Sequence, residues 1–165
     1  MIRPEQPDDI GKIHELLVNA FDDAAEAELV NHLRSASRLS PSMVACDEQE
    51  LVGYIGYSPV TINGKASSGL GLAPLAVSPS YQHLGFGGDL IRASLEACRE
   101  AGATFVVVLG DPGYYRRFGF EPASNFGLTS EYDAGDAFMA LELVPESLQN
   151  TSGNVGYAPE FAELS

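Results

Sequence analysis

Residues 75–88 read Leu-Ala-Val-Ser-Pro-Ser-Tyr-Gln-His-Leu-Gly-Phe-Gly-Gly. An apolar run stops at Pro79. A Gln-x-x-Gly-x-Gly turn follows, from Gln82 through Gly85 to Gly87, and Leu90, Ile91, Leu95 and Cys98 then recur at helical spacing. A strand, a glycine turn and a helix N-terminus in that order can hold a pyrophosphate, because unbonded backbone amides converge there and the helix dipole favours negative charge. Two other phosphate folds fit poorly. A nucleoside-triphosphate loop ends in Gly-Lys-Ser or Gly-Lys-Thr, and this turn has Gly88-Asp89. A dinucleotide-binding fold places its glycines after the first strand, with an acidic residue about twenty positions on. Here the turn sits mid-chain behind several strands, and the next strand ends at Gly110-Asp111. Taken alone, a Gly-x-Gly turn is as readily an ordinary tight turn.

The chain on either side predicts alternating layers. Met1 to Arg3 can begin a strand. Ile10, Ile13, Leu16, Leu17 and Ala20 share one helical face behind Asp8, a candidate N-cap. A second helix is expected from Ala24 to Ser35, burying Ala25, Leu29, Val30 and Leu33, with Asp22 or Asp23 as its cap. Strands follow at Met43 to Cys46, Leu51 to Ile62 and Leu70 to Val77, the last two joined across Asn63-Gly64, a strong hairpin signal. The helix after the glycine turn, Gly87 to Ala101, stops at Gly102, a suitable residue beyond a helix end. Thr104 to Leu109 is a β-branched run of the kind found in a central buried strand. A short helix holding Tyr114 to Arg117 stops at Gly119, and a last strand is expected from Ala137 to Val144. Helices, an antiparallel meander and then a β-α-β unit make a mixed α/β layer architecture. Pro74 cannot donate to a ladder, so it marks an edge, a bulge or a place where neighbouring strands part.

Composition bounds the function. With 165 residues, 45% of them hydrophobic, the chain fits one globular domain: residues 1–145 as the domain and 146–165 as a polar tail anchored by Val155, Tyr157 and Phe161. The tail is expected to pack on the domain or on a partner subunit. No apolar run approaches a membrane span, and Arg3, Pro4 and Glu5 directly after Met1 and Ile2 do not read as a signal peptide. Cys46 and Cys98 sit in apolar runs and are expected to be free, buried and inert, and the expected address is the cytoplasm. The net charge is −14, and no basic residue follows Arg117. This field opposes nucleic-acid binding, which depends on neutralising phosphates. It suits a cationic acceptor such as an amine, or serves solubility alone. No His, Cys and carboxylate set has metal-ligand spacing, so no metal is expected.

The surroundings of the turn resemble the GCN5-related N-acetyltransferase family. Its signature is Gln/Arg-x-x-Gly-x-Gly/Ala after a strand ending in Val-x-Pro. The sequence has Val77-Ser78-Pro79 and then Gln82-His83-Leu84-Gly85-Phe86-Gly87, and Tyr115 stands four positions before Gly119-Phe120 as the family commonly shows. The string from Val108 to Phe120 is similar to the YhbS-like branch of predicted acetyltransferases. The resemblance implies a central mixed antiparallel and parallel sheet flanked by helices, the acyl-CoA N-acyltransferase form of the α/β class, and acetyl-CoA as acyl donor. It implies that the backbone of Leu75, Ala76 and Val77 holds the pantetheine arm. It also implies that the amides of Gln82, His83, Leu84, Gly85, Phe86, Gly87 and Gly88 take the pyrophosphate, with Tyr114 nearby. Gln82 can also order the loop through its side chain, and His83 is expected to face solvent.

Tyr115 matches the position whose hydroxyl meets the sulfur, which makes it the candidate general acid, with Tyr114 as the alternative. Both could instead simply pack, their hydroxyls satisfied by backbone. For the base, Asp22, Asp23, Glu26 and Glu28 cluster at the junction of the first two helices, and Glu26 and Glu28 lead, although capping and surface charge explain these acids equally well. A water chain could also carry the proton. Arg92, Arg99, Arg116 and Arg117 could meet phosphate or be solvated, and Asp111 is expected to cap the short helix. The function implied is transfer of an acetyl group from acetyl-CoA to a primary amine of a small molecule or peptide. The alternative is a non-catalytic acyl-CoA-binding sensor or interaction module. A homodimer is the assembly expected for such a fold.

Overall fold

A computed structural model describes residues 1–132 and 134–164, the side chains of Glu163 and Leu164 excepted. The main elements are β1 (Ile2–Pro4), α1 (Ile10–Phe21), α2 (Ala25–Ser35), β2 (Ser42–Asp47), β3 (Glu50–Ile62), β4 (Lys65–Val77), α3 (Phe86–Glu100), β5 (Phe105–Leu109), α4 (Pro112–Tyr115), β6 (Glu121–Pro122), β7 (Leu128–Ser130), β8 (Phe138–Glu142) and β9 (Gly153–Gly156), with short 3-10 turns between them and a closing one over Pro159–Leu164. Hydrogen-bonded strands follow the order β1-β2-β3-β4-β5-β8-β6, and β9 pairs both β3 and β7. Backbone contacts gather into two units. The first holds Met1–Tyr57, Ala73–Glu96 and the chain from Pro159 onward; the second holds Ser58–Leu72 and Ala97–Ala158.

In the first unit β1, β2 and the start of β3 form an antiparallel ladder, with Arg3 opposite Val44 and Val44 opposite Tyr54. Helices α1 and α2 bury their apolar stripes on it: Ile13, Leu16, Leu17, Ala27 and Val30 pack with Val44, Cys46, Tyr54 and Ala76. Asp23 Oδ1 accepts the Ala25 N–H at 2.9 Å, satisfying one of the unpaired amides of the α2 start. Leu90, Ile91 and Leu95 of α3 are buried as the spacing predicts. Ser94 on the same stripe is fully buried, with its hydroxyl bonded to Tyr57 at 2.7 Å and to the Ile91 carbonyl at 3.1 Å.

In the second unit the Asn63-Gly64 turn closes the β3–β4 hairpin with positive φ at both residues, 52° and 79°, as a type I′ turn requires. The two-residue loop draws Lys65 to Gly69 into the ladder, so β4 begins five residues before the expected Leu70. Strand β5 runs parallel to β4 from Gly69↔Phe105 to Leu72↔Val108 and antiparallel to β8. Pro74, two residues beyond Leu72, has no N–H with which to extend that register. Val60, Phe105, Val107, Leu128, Phe138, Leu148 and Val155 make the core. The stretch after Pro145 contains a strand, contrary to its featureless polar look: Val155 of β9 lies opposite Ile62 of β3 and Ser130 of β7.

Candidate active site

The glycine turn lies in the first unit. Strand β4 ends at Val77, and the Ser78 N–H donates to the Val52 carbonyl at 2.7 Å, fixing the exit of the chain from the sheet. A 3-10 turn over Pro79–Tyr81 follows, and the Gln82 side chain donates back to the Val77 carbonyl at 3.2 Å. This bond ties the start of the turn to the end of the strand. His83 has φ 67° and is exposed, and Gly85 has φ 94°, a conformation that a side chain rarely adopts. A Cβ on Gly85 would meet no atom within 4 Å. The glycine is therefore needed for its backbone angle and not for room in the protein. Helix α3 begins at Phe86, whose ring packs edge-on to Tyr81 at 5.9 Å, and the Asp89 N–H donates to the Gly85 carbonyl at 3.0 Å. The amides before Asp89 belong to the helix start, where no preceding turn can accept from them. The cradle of amides on an exposed, glycine-shaped turn fits a pyrophosphate, and the half positive charge of a helix end adds to it.

Beside the turn, a cleft of about 590 Å³ is lined by Lys12, Glu15, Asn19, Asp47, Glu50 and Tyr81, among others. Tyr81 donates to Glu50 Oε2 at 2.8 Å. The sequence reading missed these acids, because nothing short of the fold brings the β2–β3 turn beside α1. Elsewhere in the same unit the structure separates the two acids read as base candidates. Glu28 is exposed, whereas Glu26, in the first turn of α2, has Oε2 buried without a hydrogen-bond partner. Two residues apart on a helix, they point to different faces. Asp22 has a left-handed φ of 60° where α1 ends, and Asp23 caps α2, so both acids have structural work.

Tyr115 lies in the second unit, at the end of α4. Asp111 caps that short helix, its Oδ1 accepting the Gly113 N–H at 3.0 Å, and the Tyr114 and Tyr115 amides donate to its carbonyl at 3.1 Å. The Tyr115 ring is buried edge-on between Tyr114 (5.2 Å) and Phe120 (5.6 Å). Gly110 gives it room: a Cβ there would run into the ring. Burial, with a smaller contribution from Tyr114, pushes the Tyr115 phenol up to about 12, so it is neutral at pH 7 and can donate. Tyr114 is half-buried beneath the Arg117 guanidinium, 5.1 Å from its ring centre. Arg117 thus has an aromatic partner, and Arg92 lies 3.7 Å from Asp89 in an exposed pair. The cysteines are buried and not in a disulfide, and among the described residues no group of three or more His, Cys, Asp or Glu could hold a metal ion. Among those residues no helix is long and apolar enough to cross a membrane.

Comparison with known proteins agrees with the fold. Residues 1–123 match the acetyltransferase (GNAT) domain model. The uncharacterized N-acetyltransferase YhbS of Escherichia coli K12 is 37% identical over 163 residues, covering 98% of each chain. The crystal structure of E. coli YhbS in complex with CoA superposes with a TM-score of 0.94 at 36% identity, covering 98% of this chain and 91% of that one. A GNAT family acetyltransferase from Brucella melitensis, solved with acetyl-CoA, superposes with a TM-score of 0.83 at 37% identity, covering 98% and 97%. The mixed sheet flanked by helices is the fold of these proteins, and the chain belongs to the GNAT family of acetyltransferases.

Proposed function

We propose that this chain transfers the acetyl group of acetyl-CoA to a primary amine of a small molecule or peptide, by direct attack of the amine. The observation that carries the proposal is the turn from Gln82 to Gly88, which leads into the start of α3 in a conformation that Gly85 makes possible. In a protein of net charge −14 the overall field repels a polyanionic donor, so local amides must supply the attraction. The backbone of Leu75, Ala76 and Val77 would hold the pantetheine arm, Gln82, His83, Leu84, Gly85, Phe86, Gly87 and Gly88 the pyrophosphate, and Tyr114 would pack nearby. Bound acetyl-CoA supplies a thioester carbonyl for the amine to attack.

The chain's own residues handle charge and protons. An N–H among Leu75 to Val77 polarises the carbonyl oxygen. An ammonium cannot attack until it has lost a proton. Glu26 is the better base of the acidic pair, because one oxygen of its carboxylate has no hydrogen-bond partner within the protein. Tyr115 donates to the sulfur as the C–S bond breaks. Residues 1–145 act as the catalytic domain, completed by the tail. Two unbridged thiols agree with the cytoplasm as its compartment.

The test is thiol release from acetyl-CoA against a panel of small and peptide amines, with thermal protection by CoA measured in parallel. Turnover on at least one amine supports the proposal. Strong protection by CoA without turnover on any amine would replace it with an acyl-CoA-binding module.

A further inference from the structure

Helix α2 is gripped unevenly. Polar side-chain ties hold its C-terminal half. Asn31 donates to His14 Nδ1 of α1 at 3.3 Å and accepts from Arg34 at 2.9 Å. Arg34 forks onto both oxygens of Glu5 at 2.9 Å, and Glu5 in turn accepts from Ser42. Just past the helix, the Arg38 N–H donates to the Leu33 carbonyl at 2.9 Å, which binds that residue to the last turn. The Arg38 guanidinium then forks onto Glu160, 122 residues away in sequence, at 3.0 Å to each oxygen. Glu160 lies in the first turn of the C-terminal strap Pro159–Leu164, which packs on α2 and buries Phe161. The first turn of α2, by contrast, has the Asp23 cap and carries Glu26 with its unpartnered oxygen.

We infer that the C-terminal strap is a positioning element for the amine half of the reaction: by clamping the C-terminal end of α2 through Glu160 and Phe161, it fixes where the first turn holds Glu26. The inference rests on Glu26 as the proposed base. The reason is leverage. Glu26 lies seven residues before Leu33, about 10 Å along the axis at ~1.5 Å per residue. A tilt of about 6° at the clamped end therefore moves Glu26 by about 1 Å, a displacement that can cost a proton-transfer step up to about a hundredfold. The pair is not a large store of stability, because the Arg38 side chain is 43% exposed and exposed pairs contribute little. Its long reach across the sequence suits placement better than cohesion.

The experiment measures the full chain with Glu160→Gln, Arg38→Met and the exchanged pair Arg38→Glu with Glu160→Arg. Each single change is expected to lower kcat/KM for the best amine of the panel by more than twofold and up to about fivefold, the most an exposed ion pair can contribute. The Kd for acetyl-CoA stays constant, and the exchanged pair recovers most of the loss. Amide hydrogen exchange in residues 25–29 quickens in the single variants. An amine kcat/KM within twofold of the parent overturns the inference, and so does a fall matched by an equal weakening of acetyl-CoA binding, which would be general loosening. Glu26→Gln separates the two proposals. If it keeps full turnover, the base assignment fails by itself; if no amine is a substrate, the acetyl-transfer proposal fails with it. The strap is then judged on exchange alone, and unchanged exchange at residues 25–29 in Glu160→Gln overturns it.

Discussion

Replacing Gly85 by alanine puts a number on the cradle. Gly85 sits at φ 94°, and a Cβ there would meet nothing within 4 Å, so the substitution creates no clash within the protein. What it creates is backbone strain, on the order of 1–3 kcal/mol for a residue with a side chain held in so sparsely populated a region. That energy must appear in one of two measurements. If the turn keeps its shape, the strain lowers the stability of the free protein, and for a chain of this size each 1 kcal/mol shifts Tm by about 2–4 °C. If the exposed turn relaxes, Tm hardly moves, but the amides no longer converge. Losing one or two charge-assisted bonds to the pyrophosphate, at about 1.5–3 kcal/mol each, weakens CoA by roughly tenfold to about 20,000-fold. The exposure of the turn favours the second outcome. Calorimetric titration with CoA and a thermal melt of the free protein, done together, close the account. A Gly85→Ala chain with Tm within 1 °C and CoA affinity within twofold of the parent would refute the cradle.

Tyr115→Phe keeps the edge-on packing and removes the hydroxyl. Turnover should fall about 10- to 150-fold, the worth of one hydrogen bond to a developing charge, with the Kd for acetyl-CoA little changed; full turnover would sink its role as donor. Asp9→Asn tests the N-terminal ion pair, where the buried carboxylate accepts from Arg3 at 2.6 and 3.1 Å and from the Gln6 N–H at 2.7 Å. The change should destabilise the chain by about 1.5–3 kcal/mol at pH 7. Chiefly the Arg3 bond holds the Asp9 pKa below its ordinary value of 3.8, so the stabilisation is complete above that value and lost as pH falls through the folded one. A parent–variant gap in urea melts that stays constant down to pH 2 would contradict this. At the alkaline end the sign reverses. Tyr115 is raised from 10.0 to about 12 by burial, and burial raises Tyr54 and Tyr157 as well. Their contribution is complete below pH 10 and is lost as pH rises toward the folded values, about 2.7 kcal/mol from Tyr115 alone by pH 12. Urea melts should show the decline beginning near pH 10 and a shallower one in Tyr115→Phe; equal slopes would refute the assignment.

The parts that could be read from residues alone are those whose causes are local. Gln82, Gly85 and the Leu90, Ile91, Leu95 stripe define a turn and the helix behind it without help from distant chain, and Asn63-Gly64 specifies its own hairpin. Strands β6, β7 and β9 escaped notice because two to four residues cannot display an alternating pattern. Gly153 to Gly156 becomes a strand through its partners in β3 and β7, with only Val155 of the four fully buried. Glu26 and Glu28 look equivalent in sequence, and only the packing of α2 encloses an oxygen of one and exposes the other. The Arg38–Glu160 fork, spanning 122 positions, has no local signature at all.

The acidity of Tyr115 constrains how a proton can reach the sulfur. A phenol at about 12 is a weaker acid than an ordinary thiol at about 8.5, so handing its proton outright to the departing sulfur would be uphill by about 3.5 pKa units, or roughly 5 kcal/mol. A group so placed works by hydrogen bonding to the charge as it develops, and moves its proton only if it is resupplied in the same event. The amine can resupply it. After the first proton has gone to the base, attack makes the nitrogen cationic, and that nitrogen must shed a second proton as the C–S bond breaks. In the proposed mechanism the two protons leave by different routes, one to the Glu26 side before attack and one toward the sulfur during collapse. Glu26 and Tyr115 are therefore not interchangeable: removing the first should shift the pH at which the amine becomes reactive, whereas removing the second should lower the rate at every pH. Burial of the phenol, which makes it a poor acid, also keeps it neutral across the range in which an amine loses its proton, as the proposed donor role requires.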